Sequence, residues 1–146
     1  LVVGGYRLGS RPAADDEVTL VGVGAIMPEV LQAAGHLEAL GVRTGVVCLT
    51  SPDLVFRSLQ QRGRRTVGGG SGILDLLFPP DAPAPLVTVL DGHPHTLAFL
   101  AAARGDRIRC LGVTEFGQST NLPDAYALHG LDPASILDAA LDHLGR

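Results

Sequence analysis

Glu17 to Gly24 reads EVTLVGVG, an unbroken run of β-branched and small apolar residues. A strand with one wet face alternates polar and apolar side chains, so a run without alternation has to be covered on both faces. Helical spacing follows directly. From Ile26 to Leu40, apolar residues recur at Ile26, Val30, Ala34 and Leu37, with Met27, Leu31 and Leu40 beside them. Val42 to Leu49 (VRTGVVCL), Leu86 to Leu90 (LVTVL) and Arg107 to Val113 (RIRCLGV) read as further buried strands. Helices are expected from Thr50 or Ser51 to about Arg62, from Thr96 to Ala103, from Leu122 to His129 and from Pro133 to Leu144. Ile73 to Phe78 is expected to form a helical turn. Buried strands alternating with helices predict an α/β domain with a mostly parallel sheet covered on both faces. The opening stretch, Leu1 to Leu8 (LVVGGYRL), is the weak member, an edge strand whose direction the pattern leaves open.

Punctuation residues agree with these boundaries. Pro28 falls in a first helical turn, where its missing N–H costs nothing, and Gly41 follows the last apolar residue as a left-handed cap. Asp132 and Pro133 are placed to cap and begin the last helix. Gly63 to Gly72 reads as a flexible loop. Pro79 to Pro85 carries four prolines and is expected to be a stiff, irregular crossing. The 146 residues suffice for one domain, 1–146, with no internal repeat. Only 4% are aromatic against 46% hydrophobic, so the core has to be aliphatic.

Charge and composition remove several chemistries. A net charge of −4 without a basic face argues against nucleic acid as a partner. The basic cluster Arg57, Arg62, Arg64 and Arg65 reads as a solvated loop. All 11 basic residues are Arg. Without Lys, Gly68 to Gly72 (GGGSG) is no Walker phosphate loop, and Schiff-base catalysis is excluded. Cys48 and Cys110 sit in apolar runs and read as buried structural thiols. No signal peptide or membrane-spanning run is visible, so no membrane partner and a cytoplasmic location are expected. The first residue, Leu1, fits a fragment of a longer chain.

In such a sheet, functional groups gather beyond the carboxyl ends of the strands. Gly24-Ala25-Ile26, Thr50-Ser51, Asp91-Gly92-His93 and Thr114 to Thr120 are expected to converge there. Gly22 and Gly24 lack the third glycine of a dinucleotide loop, Met27 standing in its place, and read as a tight turn feeding a helix. Asp91, His93 and His95 contain metal-ligand types, but no further Cys or His spacing supports a metal site. His93 reads either as an exposed residue of a helix-entry turn or as a group aimed at a neighbouring domain's active site. Glu115-Phe116-Gly117-Gln118-Ser119 makes a shaped loop whose amide and hydroxyl suit recognition better than acid–base catalysis. Ser51, Ser71 and Ser119 lack a nucleophile elbow, and His36, His129 and His143 read as surface or cap residues. The candidate interface or active-site-bordering residues are therefore Asp91, Gly92, His93, Glu115, Phe116, Gly117, Gln118 and Ser119. No catalytic, cofactor-binding or metal-binding residue is assigned.

Two segments, Pro85 to Leu100 (PLVTVLDGHPHTLAFL) and Leu111 to Asp132 (LGVTEFGQSTNLPDAYALHGLD), carry a family resemblance. With Gly4 to Leu8, Val21 to Ala25, Met27 to Val30 and Leu131 to Ile136, they resemble the last domain of thiamine-diphosphate enzymes of the transketolase and 2-oxoacid dehydrogenase group. The resemblance is strongest to the homodimeric pyruvate dehydrogenase decarboxylating component. It implies a three-layer α/β/α fold with a five-stranded mixed sheet whose first strand is antiparallel. It also implies a parent chain with two further domains that hold thiamine diphosphate and magnesium at a homodimer interface. Such a parent decarboxylates pyruvate or a related 2-oxoacid and passes the acyl group to lipoamide, its last domain supporting the dimer and bordering the acyltransferase core. The family's Gly-Asp-Gly…Asn cofactor motif does not occur here, and the thiazolium-activating Glu has no counterpart. The chain alone is therefore expected to bind no cofactor and to be inactive. Two alternatives stand beside this reading. One is the equivalent domain of a transketolase or deoxyxylulose-phosphate synthase. The other is a stand-alone module that binds a small anion or a protein at the strand-end edge.

Overall fold

The computed structural model of the chain describes residues 4–62, 72–105, 107–115 and 121–146. Five strands form one sheet: β1 (Gly5–Leu8), β2 (Val18–Val23), β3 (Thr44–Leu49), β4 (Leu86–Leu90) and β5 (Ile108–Leu111). Their spatial order is β1-β3-β2-β4-β5. β1 runs antiparallel to β3, with Gly5 opposite Leu49 and Leu8 opposite Val46. The other pairings are parallel. The direction that the sequence pattern left open is thus fixed by pairing, as the family resemblance implied.

β2 shows why its run lacks alternation. Val18 and Leu20 enter one apolar cluster and Val21 enters the other, the two-residue period of a strand covered on both sides. The first cluster adds Val30, Ala33 and Leu37 from α1 (Met27–Ala39), Tyr126 from α5 (Leu122–Leu128), and Ile136 and Ala140 from α6 (Pro133–Leu144). The second adds Val55 from α2 (Pro52–Arg62), Leu74 and Leu77 from α3 (Ile73–Leu77), and Leu97 and Leu100 from a 3-10 segment, Pro94–Leu100. Each such aliphatic side chain stabilises the fold by about 1.5–3 kcal/mol. The core is aliphatic as composition requires; Phe78 and Tyr126 are its aromatic members. Gly41 has φ +82°, the left-handed geometry expected after α1.

The structure corrects several expectations. β5 is no fully buried strand. It pairs with β4 alone among the described strands, and Arg109 is exposed while its neighbours are half-buried, because an edge strand lacks a neighbour to cover it. For the same reason Cys110 is half-buried, whereas Cys48, on β3 inside the sheet, is buried. The helix expected at Thr96–Ala103 is a 3-10 segment over Pro94–Leu100 that tightens into α4, Ala101–Arg104. Asp132 does stand at the N-cap of α6, but its side chain makes no cap hydrogen bond and accepts from Ser135 Oγ at 2.5 Å instead.

Ion pairs hold the periphery. Asp16 is almost wholly buried and pairs with Arg7 of β1, which also donates to the Leu77 carbonyl at 3.2 Å. Arg57 and Arg62 lie on α2 rather than in a loop, pairing with Asp53 and Asp75. Arg64, Arg65 and nearly all of the expected Gly63 to Gly72 loop fall outside the described residues. Arg104 and Arg107 pin the proline-rich crossing, donating to the carbonyls of Ala84 and Pro83. Among the described residues no helix is long and apolar enough to cross a membrane.

Candidate functional site

β2 has β3 on one side and β4 on the other, so the chain reverses its direction of travel across the sheet between β2 and β4. The crevice beyond the carboxyl ends of two such strands is where open α/β sheets take ligands. Gly24 leaves β2 there, at φ +67°, and Asp91 leaves β4.

Asp91 is exposed, and its Oδ2 accepts from the Tyr126 hydroxyl at 3.4 Å. Burial pushes the Tyr126 hydroxyl above the usual phenol pKa, and the negative charges of Asp91 and Glu29 push it further. Glu29, in the first turn of α1, has one carboxylate oxygen buried without a hydrogen-bond partner among the described residues. The Asp91 carboxylate and the Tyr126 phenol therefore meet at the switch point, within the field of Glu29. Sequence reasoning found Asp91 but not Tyr126 or Glu29. The available signal was that a Tyr in an apolar helix needs a partner for its hydroxyl.

Gly92 ties the turn after β4 to the end of β5. Its carbonyl accepts from Val113 N–H at 2.8 Å. Gly112 passes so near that an added Cβ would lie 2.5 Å from the Gly92 oxygen and 2.8 Å from Pro94 Cδ. The expected Asp91-Gly92-His93 segment and the stretch leading to Glu115 are thus adjacent. His93 and Glu115 are both exposed. Phe116, Gly117, Gln118 and Ser119 lie outside the described residues.

On the other face of the sheet, beside the same edge, lies an open cavity of about 420 Å³ between the start of α2 and the 3-10 segment. Pro52, Asp53, Phe56, His95, Thr96 and Phe99 line it. The Phe56 and Phe99 rings meet edge to face, with centroids 5.4 Å apart. His93 caps the 3-10 segment: its Nδ1 accepts from the backbone N–H of His95 at 3.3 Å and stands 2.5 Å from the Nδ1 of that residue. Neither aromatic stood out in the sequence, because Phe56 and Phe99 are 43 positions apart and only the sheet brings their helices together.

Among the described residues no three His, Cys, Asp or Glu side chains converge as candidate metal ligands.

Residues 4–132 match a protein family described as the transketolase-like TK C-terminal domain. No curated protein sequence matches. Similar solved structures include a transketolase from Pichia stipitis in complex with sedoheptulose 7-phosphate, at a TM-score of 0.68 and 18% identity over 97% of this chain and 18% of that one. The transketolase of Leishmania mexicana is similar at a TM-score of 0.68 and 17% identity over 98% of this chain and 18% of its own. A split-gene transketolase, described as an inactive β4 tetramer, is similar at a TM-score of 0.63 and 20% identity, covering 97% of this chain and 42% of that one. This chain therefore spans less than half the length of each of these structures. At such identities the likeness is one of fold.

Proposed function

Because the chain belongs to the transketolase-like C-terminal domain family, we propose that it serves as the closing, non-catalytic domain of a thiamine-diphosphate-dependent enzyme. In that role it is one domain of a longer or multi-subunit assembly, and the strand-end edge faces the remaining domains. Asp91, Gly92, His93 and Glu115, with Phe116 to Ser119, are its proposed contacts there. The observation that carries the reading is the family match over 4–132.

Thiamine diphosphate with magnesium does not fit the described residues. No group of three His, Cys, Asp or Glu side chains converges among the described residues. The sequence also lacks the Gly-Asp-Gly…Asn motif. Cofactor and metal are accordingly assigned to other domains of the parent, and no step of its reaction is derived from these residues.

Two branches of the enzyme group remain in view. The similar structures are transketolases, which favours transfer of a ketol unit. The motifs at 85–100 and 111–132 favour a homodimeric 2-oxoacid dehydrogenase, with an acyltransferase core as partner. A cytoplasmic location and self-association accompany either branch.

Calorimetric titration of the 146-residue chain with thiamine diphosphate and magnesium tests the division of labour. No saturable heat is expected, and micromolar affinity would overturn the proposal. The same gene or a neighbouring one should encode Gly-Asp-Gly followed about thirty residues later by Asn, the pattern of the family's cofactor motif.

A further inference from the structure

The cavity between α2 and the 3-10 segment has a chemistry that the docking role does not use. We infer that it is a binding site for a small, uncharged aromatic molecule carrying a single O–H or N–H donor.

Its apolar wall comes from Phe56, Phe99 and Pro52. Phe56 and Phe99 are held edge to face at 5.4 Å, which leaves aromatic surface for a third ring to stack or abut. Phe56 is 39% exposed and lines a concavity of about 420 Å³, a volume within the range of small-molecule sites. Charge gives a ligand little to answer. Asp53 is the one acidic lining residue, and Arg57 already engages its carboxylate at 2.9 Å.

The polar specificity comes from His95, and its tautomer follows from hydrogen bonding. His93 Nδ1 accepts from the backbone N–H of His95 at 3.3 Å, so that nitrogen carries a lone pair. Two facing lone pairs repel, so the proton between the two Nδ1 atoms is assigned to His95. The neutral His95 ring then has its lone pair on Nε2. His95 lines the cavity, and with Nδ1 engaged by His93, Nε2 is the ring nitrogen left to a ligand. It is an acceptor, so the complementary ligand is a donor. Pro94 between the two histidines fixes the backbone that holds this arrangement. The inference is independent of the parent enzyme's identity, because it uses only the lining residues and the histidine pair.

Phenol and toluene are matched probes, differing by one hydroxyl. Titrated into the isotope-labelled 146-residue chain, phenol should shift the Phe56, His95 and Phe99 amides and saturate in about the millimolar range, as expected for so few atoms. Toluene should bind roughly fivefold more weakly, the effect of one hydrogen bond. His95→Leu should reduce phenol to the toluene level, and Phe56→Ala should weaken both; Phe56 and His95 are exposed, so the fold survives either change. Long-range nitrogen–proton spectra should report the proton of neutral His95 on Nδ1, and His93→Ala should release that preference. Equal binding of the two probes, shifts confined to other regions, or a His95 proton on Nε2 would each overturn the inference.

Discussion

Replacing Gly112 by alanine places a methyl carbon 2.5 Å from the Gly92 carbonyl oxygen and 2.8 Å from both the nitrogen and the Cδ of Pro94. These neighbours are main chain and a fused ring, so no side-chain rotation relieves the overlap. The turn at 92–94 has to move away from the end of β5, and the Val113 N–H to Gly92 carbonyl bond of 2.8 Å stretches or breaks. Overpacking of this kind costs about 1–3 kcal/mol, and one lost backbone hydrogen bond adds about 1 kcal/mol. The expected loss is about 2–4 kcal/mol, or roughly 7–13 °C in Tm for a chain of this size. Urea unfolding of Gly112→Ala against the parent sequence measures it, and amide exchange at Val113 reports whether the predicted bond is the one lost. Gly35→Ala is the matched control. That residue is exposed in α1, nothing lies within 4 Å of its added Cβ, and the change should stabilise the helix by about 0.5–1 kcal/mol. Should Gly112→Ala cost less than about 0.5 kcal/mol, the close approach does not hold the two strand ends together, and the reasoning fails.

Asp16→Ala should cost about 3 kcal/mol in denaturant unfolding, because it strands the mostly buried Arg7 guanidinium without its carboxylate; a loss below about 1 kcal/mol refutes the anchoring of β1. Arg11 and the Thr44 backbone N–H hold the Glu38 carboxyl below the usual Glu range, and the Arg43 backbone N–H does the same for Glu17. A folded pKa below the unfolded value means this stability is present above about pH 4.3 and is lost as pH falls through the folded pKa. Glu38→Gln should therefore lower Tm near neutrality and converge with the parent in acid; a constant offset from pH 7 to 3 contradicts the linkage. Spectrophotometric titration should find both tyrosines above pH 10, Tyr6 through its contact with Cys48 and Tyr126 chiefly through burial. Asp91→Asn should bring the Tyr126 transition partway down, and an unmoved curve removes Asp91 from its surroundings.

The unbroken apolar run of β2, the helical spacing of α1 and Pro133 at the start of α6 settled the layers and most boundaries by local rules. A residue buried on both faces has to be apolar wherever the sheet places it. Edge position is different. β5 carries Arg109 where β2 is uncharged, and it is half-buried because among the described strands β4 alone lies beside it; strand order itself is set by crossovers. The family resemblance was legible in motif order, although what decides between ketol transfer and 2-oxoacid decarboxylation was not. Asp91, Gly92 and His93 were visible as a strand-end cluster because such ends gather by topology. Tyr126, Glu29 and the Phe56–Phe99 pair were not, since each acquires its meaning from a partner 35 or more positions away, or from a helix on another strand's shoulder. Local sequence thus determined which elements form and which faces they bury. Tertiary structure alone decided which side chains meet, because long-range proximity depends on strand order and crossover direction, which no local pattern encodes.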